Sequence, residues 1–186
     1  MRERRRAGVT ALVLAMLLLV SLYPTVESGL SGIKTEHAAS RSTACSGVCI
    51  NEIMPNADGS DQGIFPNGEW VELYNSGSSG MNLQNWTLED IGGWVHPIDS
   101  STWVGFSELE ESYIIAAGSY AVIAENEVGT LRLNNAGETL YLKDANGGIV
   151  HTVTSGEASN GISIIPATDA SADWVDSEEN TPGAEN

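Results

Sequence analysis

From Val48 onward, apolar and polar side chains alternate with a period of two, and the runs are short. Ile50 to Met54 predicts a first strand. Trp70 to Tyr74 predicts another, with Val71 and Leu73 on one face and Trp70, Glu72 and Tyr74 on the other. Leu83 to Leu88 follows, with Trp86 packed inward. Further on, Tyr113-Ile114-Ile115, the buried run Ala121-Val122-Ile123-Ala124, Leu131-Arg132-Leu133, Thr139 to Leu142 and Ile149 to Val153 continue the pattern. Pro55-Asn56, Asn75-Ser76-Gly77, Asn134 to Gly137 and Asp144 to Gly147 separate the runs. Gly and Asn suit those turns because positive φ there makes a Cβ costly. Helical spacing is almost absent. About eight short strands divided by turns predict an all-β chain folded as a two-sheet sandwich.

The pattern before Val48 is different. Arg2, Arg4, Arg5 and Arg6 precede an apolar run from Val9 to Leu22, which Tyr23-Pro24 ends. This is the layout of a secretory signal peptide over residues 1–28, and the run is shorter than the roughly 20 residues of a spanning helix. The alternative is an uncleaved N-terminal anchor. Residues 29–44 are Ser-rich and aperiodic, which predicts a flexible linker. Residues 45–186 then form the domain. These readings place it outside the cytoplasmic membrane, secreted or at the cell surface, with membrane contact only through an uncleaved N-terminus.

The phrases that carry the strands have a familiar order. Ile50-Asn51-Glu52-Ile53-Met54-Pro55-Asn56 comes first, then Glu69-Trp70-Val71-Glu72-Leu73-Tyr74-Asn75, then Asn85-Trp86-Thr87-Leu88-Glu89-Asp90. Ile115-Ala116-Ala117-Gly118-Ser119-Tyr120 with Val122-Ile123 follows, then Leu133 to Gly147 and the closing Trp174 with Thr181-Pro182-Gly183. Taken together, Val48 to Asn186 resembles the lamin tail domain family. The resemblance implies an immunoglobulin-like two-sheet β-sandwich with a binding or structural role. Family members often accompany nucleases, phosphoesterases or adhesion modules, so service as an accessory to a secreted hydrolase is one implied alternative. The chain departs from the family pattern where Ile164-Ile165 follows Asn160-Gly161-Ile162-Ser163, because no arginine stands in that phrase.

Charge narrows the partners. After Cys45 only Arg132 and Lys143 oppose 22 acidic side chains, a formal charge of −20. Such a surface repels phosphate backbones, so nucleic acid is not an expected partner. A protein or a glycan of the cell envelope is. Cys45 and Cys49 are the two cysteines, and in an exported chain they predict a disulfide that closes a very small loop just before the first strand.

The chemistry-bearing residues point to binding rather than catalysis. His37, His96 and His151 are the three histidines. No Gly-x-Ser-x-Gly elbow accompanies His96 and Asp99, and too few His and Cys converge for a transition metal. His96 reads as a partly exposed loop imidazole and His151 as a solvent-facing strand position. Glu69 and Glu72 point to opposite sides of one strand, which disfavours a glycosidase pair. No enzyme activity and no obligate cofactor are expected. Calcium is the exception: Asn56, Asp58 and Asp61 pack oxygen-bearing side chains around Gly59, the ligand set of a calcium-stabilised adhesion module, although the same residues also make ordinary turns. Trp94, Trp103 and Phe106 lie in the irregular stretch from Gly92 to Ser112 and form the candidate aromatic ligand-binding platform; the alternative is a satellite core. Asn85-Trp86-Thr87 is a glycosylation sequon, with Asn85 as acceptor. Asp169 to Glu179 reads as a charged, mobile approach to the end, with Trp174 tucked against the sandwich.

Overall fold

The first strand that the alternation predicts contains a break in its own period, and the fold turns on it. Ile50 and Ile53 are both core residues although three positions separate them. In the computed structural model, which describes residues 41–42, 45–105, 113–124 and 131–186, the register between this strand and the next shifts between Ile50 and Glu52. Ile50 faces Leu73 and Glu52 faces Glu72, so Asn51 is the extra residue of a β-bulge. The bulge turns Asn51 and Glu52 to the same outer face and returns Ile53 to the core.

The described residues all belong to one unit, Gly32–Asn186, built from thirteen short strands. They are β1 (Arg41–Ser42), β2 (Val48–Met54), β3 (Trp70–Asn75), β4 (Met81–Asn82), β5 (Thr87–Asp90), β6 (Val95–Pro97) and β7 (Trp103–Val104). The rest are β8 (Ile114–Ile115), β9 (Tyr120–Ala124), β10 (Thr139–Lys143), β11 (Ile149–Thr154), β12 (Ser163–Pro166) and β13 (Trp174–Ser177). A five-stranded sheet runs β1-β11-β10-β5-β6, a six-stranded sheet runs β13-β12-β2-β3-β9-β7, and β4 pairs with β8. Every pairing is antiparallel. This is the immunoglobulin-like all-β sandwich that the sequence predicts.

Between the sheets lies one apolar core. Val48, Ile50, Ile53, Val71, Leu73, Ala121 and Ile123 come from the larger sheet, and Leu88, Leu140, Leu142 and Val153 from the smaller. A second, smaller cluster occupies the outer face of the larger sheet: Met54, Ala57, Trp70, Val122 and Ala124, with Phe65 and Val104 against it. The alternation assigns Trp70 and Glu72 to a single outward face, yet both are buried. The 55–68 loop and the last residues of the chain cover that face, so the larger sheet is buried on both sides.

Four other expectations change. Arg41 and Ser42 already pair with Thr154 and Val153, so ordered structure begins inside the span read as linker. Asp169 to Glu179 is no mobile approach: Trp174–Ser177 is β13, paired residue for residue with β12. His151 is 3% exposed and accepts a hydrogen bond from the Ile50 amide at 3.1 Å, linking β11 to β2 across the sandwich. His96 is 1% exposed within β6 rather than on an open loop. Leu131 and Leu133 are buried as their alternation implies but belong to no strand. The buried Glu69 carboxylate accepts from the Leu133 amide at 3.0 Å and so supplies what a neighbouring strand would. The signal-like residues 1–28 lie outside the described residues.

Trp103 sits in the main core, with its ring 5.6 Å from that of Tyr113. Trp103→Ala is therefore expected to lower unfolding stability by about 3–5 kcal/mol in urea denaturation, the usual range for deleting a buried aromatic.

Candidate functional site

Among the described residues, a surface depression brings an exposed aromatic ring together with several polar side chains. It has a volume of about 460 Å³ and is lined by Asp61, Asp90, Trp94, Arg132, Leu133, Asn134, Asn135 and Glu138. Three separate segments build it.

The first is the β5–β6 hairpin. The Asp90 amide donates to the Trp94 carbonyl, and the Trp94 amide donates at 2.8 Å to the Asp90 carboxylate. Gly93 takes a φ of +86°, which suits a residue without a Cβ. This doubly tied turn fixes the backbone of Trp94 while its side chain stands 61% exposed. The second segment is the turn from Asn134 to Glu138. The Asn134 side chain accepts from the Ala136 amide, and the Asn134 amide donates to the Glu138 carboxyl at 3.2 Å. Gly137 has φ +98°, and a Cβ there would lie 2.7 Å from the Ser155 carbonyl oxygen, so this turn requires glycine. The third segment is the 55–68 loop, which contributes Asp61. Its carboxylate accepts from the Asn135 side-chain amide at 3.2 Å.

Two polar groups give the depression its chemistry. The buried Oδ1 of Asn135 meets no donor among the described residues. Glu138 is 8% exposed, and its burial raises the carboxyl to about 7; the Asn134 amide opposes that rise and Asp90 adds to it. Near neutral pH Glu138 therefore gives the depression a carboxyl that can donate as well as accept a hydrogen bond.

The structure separates the proposed aromatic platform. Trp103 belongs to the core and Trp94 to the surface, so the two rings do not form one exposed face; Phe106 lies outside the described residues. The calcium candidates are likewise spread among different partners. Asn56 donates to the Ala158 carbonyl, Asp58 accepts from Asn160 at 2.9 Å, and Asp61 faces Asn135. Among the described residues, no group of three or more His, Cys, Asp or Glu side chains could hold a metal ion. The three residues tie the 55–68 loop to the segments at 135 and 158–161. Asp99 turns its carboxylate to the amide and hydroxyl of Ser101. Asn85 occupies an exposed turn with φ +66°. Cys45 and Cys49 are joined as a disulfide.

Sequence reasoning found Trp94 and Asp61 but gave them different partners. It missed Asp90, Asn134, Asn135 and Glu138 as members of one site, because strand neighbours distant in sequence bring them together. Tyr141 opposite Glu89 and Leu140 opposite Asp90 show how β10 carries the 134–138 turn to the foot of the β5–β6 hairpin.

The two sheets, their antiparallel order and the inter-sheet core define an immunoglobulin-like module. The family profile described as Lamin Tail Domain matches residues 41–157, well over half of the chain, and the protein belongs to that family. That fold is generally a non-catalytic module. The match begins at β1 and stops before β12, so β12, β13 and the closing residues lie beyond it. No curated protein matches the chain.

Because Glu138 is buried with a raised pKa, its contribution to stability is complete below about pH 4.5 and is lost as pH rises through about 7. Glu138→Gln keeps the acceptor for Asn134. The variant is expected to reduce the fall in stability between acidic and mildly alkaline pH by about 1–3 kcal/mol, measured by denaturant unfolding across the range.

Proposed function

We propose that this protein is a non-enzymatic recognition module that works outside the cytoplasmic membrane and binds a glycan in the Trp94 depression. The observation that carries the reading is the pairing of a 61% exposed Trp94 ring, carried on a hydrogen-bonded turn, with an adjoining floor of carboxylates and amides. A sugar ring presents an apolar C–H face to stack on indole, and hydroxyls at its edge to bond with Asp61, Asp90, Asn135 and Glu138. A ligand pocket of a few hundred cubic ångströms with few convergent polar groups is the ordinary form of such a site.

Electrostatics selects among glycans. Arg132 is the single basic residue in the lining, against three acidic ones. With a domain charge of −20, a sulfated or uronic acid chain would meet net repulsion, whereas a neutral or amino-bearing sugar would not. Residues 2–22, with a basic start and an apolar run, support export to where such glycans lie.

The test is direct titration of neutral, amino and acidic oligosaccharides into the purified chain by calorimetry, with Trp94→Ala alongside. Neutral or amino sugars are expected to bind, and the variant is expected to weaken that binding at least about tenfold, close to 1.4 kcal/mol. Its unfolding stability should change by no more than about 0.5 kcal/mol, as for an exposed side chain. Equal binding by wild type and variant would remove Trp94 from the site, and binding only of acidic sugars would overturn the charge argument.

A further inference from the structure

The outer face of the larger sheet holds a second group of polar side chains, remote in function from the Trp94 depression. The bulge at Asn51 places Asn51 and Glu52 outward on β2, and Glu72 faces Glu52 from β3. All three are fully buried. Asp169, from the β12–β13 connection, and Tyr120, from β9, complete the group through a hydrogen bond from the Tyr120 hydroxyl to the Asp169 carboxylate. The closing residues Thr181 to Asn186 cover it. The Thr181 amide lies 3.3 Å from Glu52 Oε2, and the Gly183 amide donates to Glu72 Oε2 at 2.6 Å. The Asn186 side-chain amide donates to the Asn51 carbonyl at 3.0 Å.

Counting donors assigns a proton. Asn51 donates through Nδ2 to both Glu72 Oε1 and Asp169 Oδ1, each at 3.0 Å, and accepts through Oδ1 from the Ala170 amide at 3.2 Å, so its orientation is fixed. Asn186 is fixed in the same way, with its Nδ2 on a carbonyl and its Oδ1 therefore an acceptor. The Thr181 hydroxyl stands between two acceptors, Asn186 Oδ1 at 2.8 Å and Glu52 Oε2 at 3.1 Å. One hydroxyl proton can serve only one of them. A proton on Glu52 serves both: Glu52 donates to the Thr181 oxygen, and the Thr181 hydroxyl donates to Asn186. Glu72 differs, because each of its oxygens already accepts from an N–H.

We infer that residues 181–186 form a proton-locked latch, held shut by a neutral Glu52 and released when that proton leaves. The groups facing Glu52 do nothing to favour its charged form through ion pairing. Glu72 on β3 and Asp169 are acidic, Ser163 on β12 and Thr181 are neutral hydroxyls, and Tyr120 on β9 stands beyond, stacked on Tyr74 at 4.8 Å. Burial raises the Glu52 carboxyl to about 7, opposed by Ser163 and Thr181 and reinforced by Asp169, and the Glu72 carboxyl to about 8, opposed by Asn51 and Gly183 and reinforced by Glu52 and Asp169. Burial, followed by the bond to Asp169, likewise holds the Tyr120 phenol above its ordinary range. Both carboxyls have folded pKa values above the unfolded value of 4.5. The latch is thus most secure below about pH 4.5, and its stability is lost as pH rises through about 7 to 8. Opening would return the carboxyls to water and uncover the outer face of β2, β3 and β9.

Amide hydrogen exchange on the purified chain, corrected for the intrinsic rate at each pH, tests this. Protection at Thr181 and Gly183 is expected to fall at least about tenfold between about pH 5.5 and pH 8.5, and this fall, unlike any fall at Leu140 and Leu142 that follows global stability and Glu138, is expected to vanish in Glu52→Gln. Glu52→Gln supplies a permanently neutral group with both an acceptor for the Thr181 amide and a donor for its hydroxyl. It should keep the latch protected at both pH values. Protection in the wild type that is the same at both pH values would overturn the proposal, and so would an undiminished pH response in Glu52→Gln. Should Glu52→Gln fail to fold, the wild-type measurement alone decides.

Discussion

Two glutamates placed opposite each other on neighbouring strands, both without exposure to solvent, set the terms for much of this structure. Like charges directly across a ladder are destabilising even on a wet sheet, and burying either as an ion costs several kcal/mol unless hydrogen bonds replace the lost water. Glu52 and Glu72 therefore require a cover that carries donors. Asn51 donates from within the sheet to Glu72 and also to Asp169, and Thr181 and Gly183 provide backbone amides from above. The same cover helps seal Trp70 and Met54 beneath it, since Asn180 and Pro182 line the hollow beside them. A face that alternation alone would assign to water becomes a second interior.

The bulge at Asn51 makes that arrangement possible. Without the extra residue, an inward Ile50 would put Glu52 in and Ile53 out, and the inter-sheet core would lose an isoleucine to a buried carboxyl. With it, Ile50 and Ile53 both pack inward while two adjacent polar residues share the outer face. The two clusters on either side of the larger sheet thus depend on one irregularity of register. His151 reinforces it from the opposite sheet by accepting the Ile50 amide, immediately before the bulge.

Much of this was legible in the sequence, for physical reasons that also mark where legibility stopped. The alternating runs at Trp70 to Tyr74, Ala121 to Ala124 and Thr139 to Leu142 became β3, β9 and β10 because sheets with an apolar face impose a period of two. Asn51-Glu52 between Ile50 and Ile53 breaks that period by one residue, a bulge signal that is visible once sought. Trp174-Val175-Asp176-Ser177 was hidden among acids, because an edge strand needs apolar residues on one side only. His151 was misplaced because a neutral imidazole can be a buried acceptor as readily as an exposed polar group. The depression was half legible: an exposed Trp within a Gly-rich turn is readable, but its partners arrive through strand pairing, and no local pattern encodes that.

The depression and the latch lie on different sheets of the same sandwich, and the comparison between them is instructive. At the depression, polar groups are arranged around open volume: Asn135 Oδ1 meets no donor among the described residues, and Trp94 is anchored by its backbone with its ring exposed. At the latch, polar groups are arranged against one another, and a single proton on Glu52 lets the Thr181 oxygen and Asn186 both find partners. The first pattern is what a site looks like before its ligand arrives, with hydrogen-bonding capacity left over. The second is that of a site whose ligand is already in place, and here the ligand is the chain's own segment. Both use carboxyls raised toward neutrality by burial, Glu138 in one and Glu52 in the other. The proposed binding and the proposed closure would thus draw on the same property of this acidic domain: with only two basic residues after Cys45, burial pushes Glu138 and Glu52 toward the neutral form where no partner of opposite charge faces them.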